Sequence, residues 1–167
     1  MPENYKYDIV IPFFNGLTYL ADCVDSILKY TTRGTYRLLL ANDASDCVTT
    51  EYAETLADQK GFILHYRSEV NRGFVKTCND AISRGIADYV VLVNSDVVVT
   101  PNWLEGLGSQ ADNDGSIGLV NPLTNHASQI NLKMSPGLSF LQMNAKCTFQ
   151  NKNAACSGCW SPPRLFA

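Results

Sequence analysis

No run of Lys and Arg occurs in this chain, basic and aromatic residues do not interleave, and the formal net charge is −3. A nucleic-acid surface needs a concentrated positive stripe, so nucleic acid is not expected as a partner. No stretch approaches the length of a transmembrane helix. The opening, Met1 to Lys6, is polar and lacks the apolar core of a secretory signal, so the cytoplasm is the expected location. Neither a Gly-x-Gly-x-x-Gly nor a Walker sequence is present, which argues against a dinucleotide oxidoreductase and a P-loop enzyme. Histidine is confined to His65 and His126. Cys156 and Cys159 have the spacing of a zinc knuckle or redox pair, but no second close pair accompanies them. The six cysteines are therefore expected to be reduced and incidental.

What remains is the balance of an ordinary globular domain, 46% hydrophobic and 17% charged, and 167 residues suffice for one substantial core. Tyr7 to Ile11 reads as a short strand stopped by Pro12. Leu17, Leu20, Val24, Ile27 and Leu28 follow at helical spacing. Tyr36 to Ala41 is a second strand, and Asn42 to Asp46 is a turn that can cap the helix carrying Tyr52, Ala53 and Leu56. Phe62 to Tyr66 is a third strand, and Gly73 opens a helix with Cys78, Ala81 and Ile82. A fourth strand from Tyr89 runs into Asp96. Pro101 starts a helix with Trp103, Leu104 and Leu107, as proline suits a first helical turn. Ile117 to Val120 makes a fifth strand. Alternating β and α elements predict an α/β fold, a largely parallel sheet with helices on both faces. Beyond Met134 no element is expected, and Ser161 to Ala167 reads as neither strand nor helix.

Three polar segments follow successive strands: Pro12-Phe13-Phe14-Asn15, Asn42 to Asp46, and Asn94-Ser95-Asp96. Parallel topology gathers such ends on one edge, where open α/β sheets bind ligands. Asp96 ends an apolar run and offers a hard oxygen to a metal that completes its shell with a diphosphate. Capping of a turn is the simpler role for an aspartate in that place. A fourth segment, Asn71-Arg72-Gly73, could present its arginine and a helix N-terminus to an anion. Asp46 is the better local helix cap than Asp43. Trp103 is most simply core, and His126 a surface loop residue.

In order, Val10-Ile11-Pro12-Phe13-Phe14-Asn15 with Leu20 and Ser26-Ile27-Leu28 resembles the start of family 2 glycosyltransferases. Asn42 to Asp46 resembles their Asp-Asp-Gly-Ser-x-Asp segment, and Asn71-Arg72-Gly73-Phe74 with Asn79 their Asn-x-Gly…Asn segment. Asn94-Ser95-Asp96 with Pro101 and Trp103-Leu104 resembles their Asp-x-Asp region, and Gly118 to Pro122 with Asn125 the next strand and loop. The resemblance implies a GT-A nucleotide-diphospho-sugar-binding fold and transfer of a sugar to an acceptor hydroxyl with inversion, in bacterial polysaccharide or cell-envelope glycan synthesis. It implies that Asp43 contacts the base or ribose and that Pro12, Phe13 and Asn15 line the nucleoside pocket. Arg72 then contacts the base, Asn94 and Ser95 border the nucleotide, and Asp96 ligates Mg²⁺ or Mn²⁺. The implied partners are a nucleotide-diphospho-sugar, with UDP favoured, and a glycan or lipid-linked acceptor, reached in the cytoplasm or at the inner face of the membrane beside a membrane-associated partner. Residues 1–130 would form the donor-binding domain and 131–167 either an incomplete acceptor-side segment or a poorly ordered tail.

Two departures accompany the match. Asn94 replaces the first acid of Asp-x-Asp, leaving one strong carboxylate. Relatives continue further, into a part that holds acceptor elements and an acidic general base, so this chain is expected to be truncated. No Asp or Glu follows Asp114, and the catalytic residue is therefore unassigned. The alternative is a non-catalytic nucleotide-sugar-binding module, or a fragment inactive for want of the base. A nucleotidyltransferase is disfavoured because Pro12 to Gly16 supplies no Gly-rich triphosphate loop.

Overall fold

Strand β1, Tyr7–Phe13, is buried at every residue, as expected of a central strand covered on both faces. The computed structural model describes residues 5–122 and a two-residue strand at 165–166. Within it α1 is Leu17–Tyr30, β2 Tyr36–Asn42, α2 Cys47–Gln59, β3 Ile63–Arg67, α3 Phe74–Ile82, β4 Tyr89–Leu92, α4 Trp103–Asn113, β5 Leu119–Val120 and β6 Leu165–Phe166. The sheet runs β3-β2-β1-β4-β6-β5 and all its pairings are parallel. β1 is aligned from Tyr7 opposite Tyr36 to Phe13 opposite Asn42 on one side, and from Tyr7 opposite Tyr89 to Val10 opposite Leu92 on the other.

Strand alternation divides the core. Ile9, Ile11, Phe13, Leu38, Leu40 and Val91 face Leu20, Cys23, Val24 and Ile27 of α1, Ala53 of α2, and Leu104 and Leu107 of α4. Val10, Leu39, Ala41 and Val90 face Ala81 of α3. Helices thus cover both faces, as the alternating elements predict. One polar residue interrupts the second face. Asp8 is fully buried, and its carboxylate accepts Arg37 Nε and Nη2 at 2.7 and 2.8 Å. It also accepts the backbone N–H of Ile86 and Ala87, at 2.6 and 2.9 Å. A buried charge is tolerated only when paired and hydrogen-bonded, and Asp8 meets both conditions.

Several elements differ from the sequence expectation; β5, expected from Ile117, covers only Leu119–Val120, and β2 and β3 each run one residue further, to Asn42 and Arg67. β1 continues through Pro12 to Phe13. Val10 turns its carbonyl toward β4, accepting from Val93, while Phe13 turns its carbonyl toward β2, accepting from Asp43. Pro12 therefore faces the β4 side, beyond the last β1–β4 pair, and its missing N–H costs no ladder bond. β4 ends at Leu92, and Asp96 lies in a turn closed by the Val97 N–H to Asn94 carbonyl bond at 3.2 Å. α4 starts at Trp103 rather than Pro101, because Asn102 is left-handed at φ 62° and interrupts the helix there. Leu165–Phe166 pairs with β4 and β5, in a segment expected to hold no strand. Two residues after Pro162-Pro163 give no alternation from which a strand could be read.

Candidate functional site

The order β3-β2-β1-β4 places the switch in chain direction between β1 and β4, and there the sheet splays open beyond Val10 and Leu92. A cleft of about 650 Å³ occupies the opening. The segments after β1, β2 and β4 and the turn before α3 all reach it, through Pro12 to Gly16, Asp43, Asn94 to Asp96, and Asn71, Gly73 and Phe74.

Three hydrogen-bond systems hold these segments. Asn15 donates its N–H to Ser45 Oγ at 2.8 Å and accepts the Asp46 N–H on Oδ1 at 2.7 Å, tying the β1 and β2 loops together. Asn42 Oδ1 accepts the Ser45 N–H at 2.8 Å. Its Nδ2 donates to Thr50 Oγ1 at 3.0 Å and lies 3.3 Å from His65 Nε2. An amide nitrogen only donates, so His65 is assigned the tautomer with its proton on Nδ1. Burial holds the His65 pKa below the usual imidazole value. Asp43, itself buried, bonds the third loop: its oxygens accept the Arg72 and Gly73 N–H groups at 2.7 and 2.8 Å. Gly73 can make this bond because its φ of +83° and ψ of 158° belong to glycine.

Helix α1 supports the Asp96 turn from beneath. The Cys23 thiol donates to the Asn94 carbonyl at 3.6 Å. Burial pushes its pKa up to about 12, so it serves as a neutral donor. Ser26 Oγ donates to the Cys23 carbonyl at 2.8 Å and accepts the Val99 N–H at 3.1 Å. Both residues lie on the apolar stripe of α1. A polar group on a buried stripe needs a partner, and that signal was available in the sequence.

Three aspartates expected near the sheet edge prove to have different tasks. Asp46 caps α2, accepting the Thr49 N–H at 2.8 Å, and that bond lowers its pKa. Asp43 joins two loops with both oxygens. Asp96 is exposed at the cleft, and its carboxylate accepts no hydrogen bond from the described residues. Only the Asp96 carboxylate is left wholly available to a ligand. Asn94 and Ser95 stand beside it at the same wall.

Pro12, Phe13, Asn15, Asp43, Asn94, Ser95 and Asp96 are therefore brought together, though not on equal terms. The Phe13 ring is buried and stacks on His65, while Phe14 presents its ring at the cleft, 54% exposed. Arg72 is not brought in by its side chain. Its guanidinium pairs with Asp80 and lines a different hollow, and only its backbone serves Asp43. Tyr19 and Thr77, which line the cleft, were not anticipated. Nothing marks Thr77 in the sequence beyond its place one turn after Gly73. Asn125, His126, Cys147, Cys156 and Cys159 lie outside the described residues. Cys23, Cys47 and Cys78 are free thiols.

The glycosyl transferase family 2 model matches residues 8–161. The chain belongs to this family. It is similar to glycosyltransferase GlyG of Streptococcus pneumoniae serotype 4, with 30% identity over 114 residues, which make up 68% of this chain and 38% of GlyG. It spans well under half the length of that relative. Among solved structures, S. aureus TarS 1-349 in complex with UDP-GlcNAc superimposes with a TM-score of 0.63 at 21% identity, over 71% of this chain and 34% of that one. GalNAc-T7 with UDP, GalNAc and Mn²⁺ gives 0.63 at 20% identity, over 72% and 23%. At these identities the likeness shows the fold, which is GT-A. No helix among the described residues is long and apolar enough to cross a membrane.

Proposed function

We propose that the cleft binds the nucleotide-diphospho-sugar donor of a glycosyltransferase, with UDP as the favoured nucleotide, and that the whole protein transfers the sugar to an acceptor hydroxyl with inversion. The observation that carries this reading is the free Asp96 carboxylate at the switch point, opposite the Asp43-linked loops. The UDP and UDP-GlcNAc bound by GT-A neighbours support the nucleotide class. In this reading Asp43 offers its remaining lone pairs to a base imide or the ribose, and the Phe14 ring supplies a flat apolar surface for the nucleoside. Pro12, Phe13 and Asn15 form the nucleoside end of the cleft. Asn94, Ser95 and Asp96 form the diphosphate end. Arg72 takes part through its backbone hold on Asp43.

The donor set suits Mg²⁺ or Mn²⁺. Asp96 supplies a carboxylate oxygen and Asn94 an amide oxygen, both hard ligands, and no group of three or more His, Cys, Asp or Glu that could hold a metal occurs among the described residues. So small a set fits a cation that keeps waters and takes its other oxygens from substrate phosphates. When bound, the cation stabilises the negative charge that grows on the leaving diphosphate. Asp96 fixes it at that end of the cleft, and Cys23 and Ser26 keep the Asp96 turn in place.

We place donor binding in residues 1–130 and assign 131–167 to the acceptor side, acting on a glycan or lipid-linked acceptor at the cytoplasmic face of a membrane in cell-envelope glycan synthesis. A second reading is a nucleotide-sugar-binding module without turnover. Calorimetric titration with UDP, GDP and dTDP, each with and without Mn²⁺, tests the shared core of both. Selective UDP binding strengthened by Mn²⁺ is expected, and no binding by a folded sample contradicts it. Sugar transfer to an added acceptor then separates the transferase from the module.

A further inference from the structure

On the α3 face of the sheet, behind the donor cleft, lies a second hollow of about 290 Å³. We propose that this hollow is a phosphate site, taking a phosphate dianion either free or carried on a small organic molecule. Three arginines from separate segments line it: Arg67 at the end of β3, Arg72 in the turn before α3, and Arg84 just after α3. Two carboxylates, Glu69 and Asp80, share the lining, so the hollow is locally cationic in a chain of net charge −3.

The arginines are prepared for an incoming anion. Arg84 lies 4.6 Å from the ring centroid of Tyr66, a contact that holds its planar group over the aromatic face. Neither Arg67 nor Arg84 has a carboxylate within ion-pair distance among the described residues. Arg72 gives Asp80 one N–H and keeps the rest of its fork. Guanidinium groups from three segments suit the several oxygens of a tetrahedral anion, whereas a planar carboxylate is satisfied by one fork.

An independent observation points the same way. Thr77 Oγ1 is buried, the residue being only 4% exposed, and it has no hydrogen-bond partner. It lies on the wall that the hollow shares with the donor cleft. A buried hydroxyl left without a partner is uncommon and marks a place where a ligand or its water completes the bonding. The volume exceeds what a lone phosphate needs, which leaves room for an attached body.

The test is a titration of the ¹⁵N-labelled chain with inorganic phosphate and with glucose 6-phosphate, at constant ionic strength set by chloride. The expected result is saturable shifts confined to residues 66–72 and 77–84 and to the Arg67 and Arg84 side-chain N–H signals. Arg67→Gln and Arg84→Gln, both exposed positions, should each weaken the affinity at least about tenfold. Tighter binding of glucose 6-phosphate assigns a phosphoester, and equal binding assigns free phosphate. Non-saturating shifts spread over all basic residues, or affinity unchanged in both variants, overturn the site. A dispersed ¹H–¹⁵N spectrum matching the native chain away from the substitution shows each variant to be folded, so this result stays separate from the donor reading, on which it does not depend.

Discussion

Asp43 holds Gly73 across the mouth of the cleft, its Oδ2 accepting the Gly73 N–H at 2.8 Å while Oδ1 takes that of Arg72 at 2.7 Å. The cleft-side loops after β2 and before α3 are therefore set by one carboxylate. Bonds to a charged group contribute roughly 1.5–3 kcal/mol each. Asp43→Asn keeps one acceptor and should lose about that much stability, and Asp43→Ala about twice as much, by urea unfolding. UDP affinity should fall in both variants even without metal. Wild-type affinity in Asp43→Ala would restrict the residue to architecture.

Asp8, on β1, holds Arg37 near the start of β2, the strand that Asp43 follows. Removing its carboxylate leaves Arg37 half-buried without its partner and two N–H groups, of Ile86 and Ala87, unmatched. Breaking a buried pair costs roughly 3–5 kcal/mol, so Asp8→Ala should unfold at much lower urea concentration than the native chain. A loss below about 1 kcal/mol would show that the pair contributes little beyond its desolvation cost.

The contrast between these two aspartates shows how far the sequence could be read. The sheet was legible because Ile9 to Ile11, Leu38 to Ala41 and Tyr89 to Val93 are apolar runs near turn residues. The convergence of the Pro12, Asp43 and Asp96 segments followed from parallel topology alone. Side-chain direction did not follow. Arg72 turns away because Asp80, eight residues on, lies one side of α3, and Asp8 sits unannounced inside an apolar strand because its partner Arg37 is on the next strand. The breaks at Pro12 and Asn102 depended on which neighbour each backbone faced and on a left-handed φ, neither of which the residue type alone determines.

Ala44 adopts φ 63° where the family segment Asn42 to Asp46 resembles carries glycine. A left-handed alanine costs roughly 1–2 kcal/mol, part of which glycine returns through the entropy of the unfolded chain. Ala44→Gly should raise stability by about 0.5–1 kcal/mol in thermal or urea unfolding and leave UDP binding intact. Destabilisation would mean that the alanine methyl makes a contact worth more than the strain.

His65 gives the site a pH dependence. Its folded-state pKa is depressed, with burial as the main cause, so its contribution is fully present above the unfolded value of about 6.5. That stability is lost as pH falls through the lower folded value, because protonated Nε2 can no longer accept from Asn42. Unfolding curves between pH 7.5 and 5 should show a decline that is reduced in His65→Gln. An identical pH profile in the variant would assign the decline to other groups.

In the proposed function Asp96 supplies the protein carboxylate for a cation shared with the donor diphosphate. The most direct measurement is a calorimetric cycle of UDP binding, with and without Mn²⁺, in the native chain and in Asp96→Ala. Mn²⁺ should strengthen UDP binding at least about tenfold in the native chain, a difference of about 1.4 kcal/mol, and should have almost no effect in the variant. Metal-free UDP affinity should be nearly the same in both. An equal Mn²⁺ enhancement in Asp96→Ala would contradict the account.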